Sequence, residues 1–254
     1  MRPAIVMLLL CGLSVGMAGR AASAAEIKVL SAGAMRGVVD ALLPDFEKQT
    51  GHKVTIDNAT AGVLAKRIED GESFDVAVVT AVVVDSLLAK GKLAAGSRVA
   101  LAKVGMGVAV KAGAPLPDIK TVDAFRRALL EAKSVAYINP KAGGTTGVFF
   151  EQLIEKLGIA GEVRAKAKLK DGGYVADLVA SGEAELGVHV ISEIVPVKGA
   201  VLVGPLPAEI QTTTTYVGGV STASSNAEAA RALIAFIAGP ASVPVLSAKG
   251  MDKP

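Results

Sequence analysis

Three short runs of small residues stand where a strand-like segment passes into a helix-like segment, and there the main chain could bind a ligand. They are 31–36 (SAGAMR), 58–63 (NATAGV) and 139–148 (NPKAGGTTGV), with a weaker fourth at 170–175 (KDGGYV). A helix N-terminus carries free N–H donors and a partial positive charge, and small residues let an anion come close to them. The runs therefore predict an anion site made largely of backbone.

From these junctions we predict which residues contact the ligand. The set is Ser31, Gly33, Ala34, Met35, Arg36, Thr60, Ala61, Gly144, Thr145, Thr146, Gly172, Gly173, Tyr174 and His189.

Several of these residues have an equally ordinary structural reading. Turns of small residues are common joints, and Arg36 and Lys141 could be solvated surface charges. As cleft residues they would be counter-charges to an anion, and the donor fork of an arginine suits a carboxylate. His189 stands in an apolar strand and could be a core histidine, since one histidine without partners does not make a metal site.

Motifs for catalysis and for other ligand classes are missing from the sequence. It has no G-x-S-x-G elbow, no phosphate-binding loop and no H-E-x-x-H pair. We predict no catalytic residue, no metal and no cofactor. A hydrolase or lyase stays open as an alternative, because catalytic groups need not be close in sequence. The chain has no Trp and 4% aromatic residues, which argues against a nucleic-acid partner.

The first 24 residues are typical of a secretion signal. Arg2 precedes an apolar run, and Ala-Ser-Ala at 22–24 fits a cleavage site. We predict cleavage after residue 24 and a periplasmic protein; an uncleaved anchor, or acylation at Cys11, is the alternative. Cleavage would remove the only cysteine, and the loss of Arg2 and Arg20 would lower the formal net charge from +3 to +1.

Strand-like and helix-like segments alternate along the rest of the chain, which indicates an α/β fold with mainly parallel sheets. Apolar residues at helical spacing predict helices at 36–49, 62–70, 82–90, 122–132, 145–157, 174–180, 227–238 and 241–249. Strands are predicted at 27–30, 52–58, 74–80, 103–113, 134–140, 163–169 and 185–191.

The order of these segments predicts two lobes. Residues 25–106 plus 217–254 would form lobe 1, and 107–216 would form lobe 2. Two extended crossings, 106–110 (MGVAV) and 214–220 (TTYVGGV), would join them. A single doubly wound sheet is the alternative. Because ligands bind where the strands of such sheets end, two of the junctions in each lobe would face each other across a cleft.

The chain resembles the periplasmic molybdate-binding proteins of ABC importers. The resemblance covers nearly all of the chain after the signal and rests on VLSAGAMRGVVDALLPDFEKQTGHKVTI, AGVLAKRIEDGESFDVAVV, NPKAGGTTGVFFEQLIEKLG, VASGEAELGVHVISEI and ALIAFIAGPASVPVLSAKGM. It implies the type II periplasmic binding fold and closure of two lobes about a hinge. It further implies a small anionic ligand delivered to the permease subunits of an importer. We expect a monomer.

The resemblance also implies how the ligand is held. That family places serine hydroxyls where this chain has Ala34 and Ala61, the latter next to Thr60. Thr146 and Gly172 fall where the family donates backbone N–H groups, and Val190 replaces a tyrosine.

Two readings of the ligand follow from these substitutions. Thr60 and Thr146 could replace the lost hydroxyls in a genuine molybdate or tungstate binder. Alternatively, the site holds another anion, such as a small organic carboxylate. Beside a transport protein and an enzyme, a third class of function is a chemoreceptor partner that signals through closure of the same two lobes.

Overall fold

The computed structural model of the protein describes residues 24–254. Cys11 and the predicted signal, except its last residue, lie outside the described residues. The first part of the chain forms three strand–helix units: β1 Glu26–Ala32, α1 Gly33–Thr50, β2 Lys53–Ala59, α2 Ala61–Glu69, β3 Val76–Thr80 and α3 Ala81–Ala89.

The remaining elements follow a long strand that leaves this part of the molecule. They are β4 Val99–Lys111, α4 Val122–Glu131, β5 Val135–Ile138, α5 Thr145–Lys156, α6 Ala160–Ala165, β6 Ala167–Lys170, α7 Ala176–Ser181, β7 Leu186–Val190, β8 Ala200–Pro205, β9 Thr213–Val220, α8 Ala227–Ala238 and α9 Ser242–Ala248. Single turns of 3-10 helix lie at Pro140–Ala142, Ile191–Glu193 and Ala208–Ile210.

The strands form two sheets that share β4. Their order is β2-β1-β3-β9-β4-β7-β5-β6, and β8 also pairs with β4. The first residues of β4, Val99–Gly105, pair with β9, and the following residues, Met106–Val110, pair with β7. The fold is thus the predicted two-lobed α/β architecture with crossing strands, and β4 changes partners between Gly105 and Met106.

Parallel pairing is confined to the outer strands. β1 pairs in parallel with β2 and β3, and β5 with β6 and β7. Every pair that involves β4 or β9 is antiparallel. The expectation of mainly parallel sheets therefore describes the strand–helix units alone, because the two crossing strands must run back between the lobes.

The helices cover the sheets with apolar faces at helical spacing. In α1, Val38, Val39, Leu42 and Phe46 are buried, and each such side chain contributes about 1.5–3 kcal/mol when removed from water. β3 and β7 are buried along their whole length, as expected of strands covered on both faces. This packing fixes the strand ends from which the site is built.

One strand prediction is wrong. The run 163–169 was expected to be a single strand, but α6 continues to Ala165 and β6 begins only at Ala167. Ala160–Ala165 consists mostly of good helix formers, and that local preference ends the helix later than the apolar alternation suggests. β6 is an edge strand with exposed Lys168 and Leu169, so its pattern is weak.

No single helix within 24–254 is long and apolar enough to cross a membrane. α8 and α9 together reach that length and composition, but the chain bends by 61° between them.

Candidate functional site

Four strand ends and four helix starts meet around one cavity of about 140 Å³. β1 passes directly into α1, β3 into α3, and β2 into α2 through Thr60. From the other lobe, α5 begins at the cavity after Gly144. A dry cavity of about 150 Å³ is known to hold benzene, so this one suits a small ligand that reaches toward its mouth.

Three of the four helix starts, those of α1, α3 and α5, have no side-chain cap, and at α1 and α5 small residues line the cavity. The residues preceding α1 and α5, Ala32 and Gly144, make no side-chain cap. The first N–H groups of an α-helix have no partner within the helix, so they need a cap, water or a ligand. The small residues Gly33, Ala34 and Gly144 line the cavity at these starts, which leaves room for an anion to reach the amides.

α2 uses its amides differently, because it contacts the other lobe. The Gly62 N–H donates to the Gly143 carbonyl oxygen at 3.0 Å. The Thr60 hydroxyl donates to the Ala142 carbonyl oxygen at 2.8 Å, and it accepts from the Val63 N–H at 3.4 Å. These bonds hold the two lobes together over the cavity, and we call them the cross-cleft latch.

Polar side chains at the cavity have atoms without partners. Among residues 24–254, four buried side-chain polar atoms lack a hydrogen bond. Three of them belong to cavity residues: Asn58 Oδ1, Thr80 Oγ1 and His189 Nδ1. Buried polar atoms in native proteins nearly always have a partner, so three unsatisfied atoms around one cavity indicate a polar ligand.

A buried acid and a buried histidine lie side by side at the cavity. Glu193 Oε2 is 3.4 Å from His189 Nε2, and the side chains are 9% and 3% exposed. Burial raises the pKa of Glu193 to about 8 and lowers the pKa of His189 to about 3. Burial disfavours the charged form of each group. Near neutral pH the pair therefore holds a single titratable proton and no net charge.

Glu193 reaches the start of α1 because residue 33 is glycine. A Cβ placed on Gly33 would lie 2.6 Å from Glu193 Oε1, a distance that real Cβ atoms do not tolerate. Any side chain at residue 33 would therefore displace the carboxyl group. The small residue at the first junction therefore leaves room for the Glu193 carboxyl group as well as for a ligand.

Three further groups set the electrostatics of the cavity. Burial, followed by the nearby Glu193, raises the pKa of Tyr174 and also that of Tyr216, which is fully covered. Arg36 lines the cavity with an exposed side chain, 3.5 Å from Asp40. The cavity lining thus combines one exposed, ion-paired positive charge with buried groups that are neutral near pH 7.

Most of the residues predicted from sequence come together here. Those that line the cavity are Gly33, Ala34, Arg36, Thr60, Ala61, Gly144, Thr145, Thr146, Gly173, Tyr174 and His189.

Three predicted residues do not line the cavity. Ser31 is fully buried, and its hydroxyl donates to the Ala32 carbonyl oxygen at 3.2 Å. Met35 belongs to the hydrophobic core. Gly172 lies across the cleft from the Thr60 methyl group. Of the two proposed counter-charges, Arg36 lines the cavity, whereas Lys141 lines shallower surface depressions.

Glu193, Thr80, Tyr216 and Asn58 also line the cavity, although none of them is among the ligand residues predicted from the sequence. Glu193 follows an apolar strand within ISEI, where it looks like an ordinary surface acid. The spacing of four residues from His189, across a strand end, is the signal that could have identified it. No group of three or more residues of the metal-binding types gathers within the described part of the chain.

Comparison with known proteins adds a family and several relatives. A family model described as bacterial extracellular solute-binding protein matches residues 27–252. An aconitate isomerase from a Pseudomonas species is 35% identical over 218 residues, which are 84% of this chain and 82% of the isomerase. The molybdate-binding protein ModA of Azotobacter vinelandii is 29% identical over 250 residues, 95% of this chain and 96% of that protein.

A solved structure has the same fold. The periplasmic molybdate-binding protein of Azotobacter vinelandii superposes with a TM-score of 0.76 at 22% identity, covering 90% of this chain and 99% of that one. At this identity the likeness shows the fold alone. It confirms the predicted type II periplasmic binding fold.

Proposed function

Because the chain belongs to the bacterial extracellular solute-binding protein family, we propose that it binds a small organic carboxylate anion in the cavity between its lobes. One observation carries the proposal: Asn58, Thr80 and His189 line the cavity where α1 and α5 begin uncapped, and each has a buried polar atom without a hydrogen-bond partner. A bound anion would satisfy the helix amides and these side chains together.

The chemistry of the cavity favours a carboxylate over a tetrahedral oxyanion. Ala34 and Ala61 offer no hydroxyl, and the Thr60 hydroxyl is engaged in the cross-cleft latch. A neutral Glu193 can donate its proton to one carboxylate of a ligand, and Arg36 at the mouth can bind a second one through its donor fork. A tetrahedral oxyanion would meet the Glu193 proton and the helix amides but not the additional hydroxyl donors that it needs.

The family relationship supports the rest of the role. Solute-binding proteins of importers close around a ligand and dock on a permease, and we propose the same cycle here, in the periplasm and with a monomer. The cross-cleft latch supports closure, because its donors and acceptors come from both lobes.

Calorimetry on the purified protein tests the ligand class. The titrants are citrate, cis- and trans-aconitate, succinate, molybdate, tungstate and sulfate. We expect a tricarboxylate to bind with a Kd of about 1 μM or below and molybdate to bind about 100-fold more weakly, since each lost charge-assisted hydrogen bond costs about 1.5–3 kcal/mol. Nanomolar molybdate binding would overturn the carboxylate proposal.

The isomerase relative and the buried pair favour a second candidate function. The relative is named aconitate isomerase and is 35% identical over most of both chains. His189 and Glu193 are the buried titratable pair at the cavity. We propose as the alternative that the protein interconverts the cis and trans isomers of an unsaturated tricarboxylate. Incubation with cis-aconitate, followed by proton NMR, would show trans-aconitate accumulating faster than in a protein-free sample.

The two functions make different demands on the same protein. Binding without turnover supports a transport role, and turnover supports the isomerase. If the protein neither binds nor converts any of the carboxylates, both proposed functions are contradicted.

A further inference from the structure

We propose that His189 and Glu193 form an acid–base dyad that exchanges a proton with a carbon atom of the bound carboxylate. His189 would touch the substrate, and Glu193 would position and tune His189. This inference rests on the proposed carboxylate site and deepens it. Its substrate class is an unsaturated polycarboxylate whose methylene group lies between a carboxylate and a double bond.

The geometry gives each member of the dyad a separate role. The Nε2 atom of His189 lies 3.4 Å from Glu193 Oε2, while Nδ1 of the same ring is buried and has no hydrogen-bond partner; the residue lines the cavity. A base needs a free nitrogen toward the substrate and an orienting group on the other nitrogen. Such contacts are often long without substrate and tighten when it binds.

Glu193 is confined in position as well as in environment. It lies in the single 3-10 turn after β7, is 7% exposed, and its Oε1 occupies the space that a side chain at residue 33 would need. Tyr174 and Tyr216 lie near it on other elements, and Arg36, which is paired with Asp40, lines the same cavity. Neither phenol carries charge near neutral pH, so Arg36 is the one charged cavity residue among them.

The proton transfer balances without a co-reactant. The substrate C–H bond breaks as an N–H bond forms at Nδ1, and the electron pair delocalises over the three-carbon unit onto a carboxylate oxygen. The imidazolium then returns a proton to the far carbon. A new C–H bond forms there, the N–H bond breaks, and the double bond has moved by one position. Nothing is oxidised or reduced, and no group leaves.

The pH behaviour of Glu193 supplies a test of its positioning role. Burial places the pKa of Glu193 at about 8. Above that pH its carboxylate would strengthen His189 as a base and also repel the anionic substrate. We therefore expect both kcat and KM to rise as the pH increases through this value. A variant that had only lost packing would not show this combination.

The experiment measures deuterium incorporation and binding on the same samples. Purified protein in D₂O is incubated with cis- or trans-aconitate, and carbon-bound deuterium is followed by NMR; affinity is measured by calorimetry. We expect exchange in the wild type, loss of about 100-fold or more in His189→Gln, and in Glu193→Gln a slower exchange without the inflection near pH 8. The saturated propane-1,2,3-tricarboxylate should bind without exchange.

Matched controls separate chemistry from folding. His52 is the other histidine of the described residues and packs near Phe46, away from the cavity, so His52→Gln should exchange at the wild-type rate. If His189→Gln fails to fold, the wild-type exchange and the Glu193→Gln pH profile still decide. Binding with neither exchange nor isomerisation in the wild type overturns the dyad but not the binding site, and so does full exchange in His189→Gln. Absence of binding overturns the proposed function itself.

Discussion

Among the clusters of titratable side chains that contain a glutamate, two place that glutamate in opposite environments. On the surface of lobe 1, Glu72 receives Arg67 Nε at 2.6 Å and Lys28 Nζ at 2.9 Å, and Arg67 also contacts Asp57. Hydrogen bonds from Arg67 and Lys28 lower the pKa of Glu72 to about 2. In the cavity, burial without such donors raises that of Glu193 to about 8.

The difference teaches where to look for function. Every charged member of the surface cluster has a partner, so the cluster is complete as it stands and stabilises the fold only modestly. The cavity pair is buried, His189 Nδ1 has no hydrogen-bond partner, and two further unsatisfied atoms belong to the cavity residues Asn58 and Thr80. Strong pKa shifts occur both in the surface cluster and in the cavity pair. What distinguishes the cavity is that it also has buried polar atoms without hydrogen-bond partners.

Opening the cleft should expose Glu193 to solvent, as Glu72 already is, and this is the largest effect we expect. A Cβ on Gly62 would lie 2.6 Å from the Gly143 carbonyl oxygen, so Gly62→Ala forces main chain apart at the cross-cleft latch. Ligand affinity should fall by about 100-fold, because overpacking costs about 1–3 kcal/mol. Water would then reach Glu193, and its pKa should move down toward the ordinary value. Calorimetry and NMR titration measure the two changes; Gly161→Ala, with open space around the new Cβ, is the control.

Stability as a function of pH should distinguish the clusters next. The reference pKa values are 4.5 for Glu193 and 6.5 for His189. Between pH 6.5 and 8 the folded protein keeps a proton on Glu193 that the unfolded chain has lost, so the free energy of unfolding falls as pH rises, by about 2 kcal/mol. Between 4.5 and 6.5 the depressed pKa of His189 offsets this, because there the unfolded chain binds a proton that folded His189 does not.

Denaturant titrations over this range check the sign. Glu193→Gln should abolish the fall above pH 6.5, and His189→Gln should make the fall begin near 4.5. Parallel curves for Glu193→Gln and the wild type would mean that the carboxyl group is not buried in its neutral form.

Crowding the acid should have a smaller effect on binding. Gly33→Ala pushes a Cβ against Glu193 Oε1, which can swing aside because it is the end of a flexible side chain. We expect about a tenfold loss of ligand affinity. Gly37→Ala lies on the same helix, where the new Cβ meets Lys249 at an ordinary 3.5 Å, and it should bind like the wild type. Equal losses in both variants would point to the helix rather than the acid.

Removing the surface glutamate should matter least. Glu72→Gln breaks bonds that are exposed to solvent and screened by salt. We expect ligand affinity within about twofold of the wild type, because distant sites act independently. A small loss of thermal stability should shrink further at high salt. A large loss of affinity would contradict the separation of the two clusters.

The sequence was sufficient for most of the fold because the strand–helix units have strong periodicity. The helix predicted at 227–238 has the observed bounds, and the apolar run 74–80 contains β3. The prediction failed at 163–169, where Val163 and Leu169 frame a stretch of alanine and lysine that suits a helix as well as an edge strand.

The site was only partly predictable for a different reason. Gly33 and Gly144 could be identified because a small residue at a strand–helix joint has a local meaning. Glu193 has no such local signal, because its role appears only when β7 pairs with β4 and the following 3-10 turn packs against α1. Ser31 and Met35 were predicted by their place in the run SAGAMR, yet the buried Ser31 hydroxyl donates to the Ala32 carbonyl oxygen and Met35 belongs to the hydrophobic core.

The cross-cleft latch has an evolutionary consequence. Its central hydrogen bond joins two glycines through main-chain atoms alone, so its strength does not depend on which side chains surround the cavity. Substitutions at Asn58, Thr80 or Ala34 could change the preferred solute while the closing movement stays intact. Residue 62 itself must stay glycine, because a Cβ there would lie 2.6 Å from the Gly143 carbonyl oxygen. Such a division lets a lineage explore new ligands without losing the machinery that captures them.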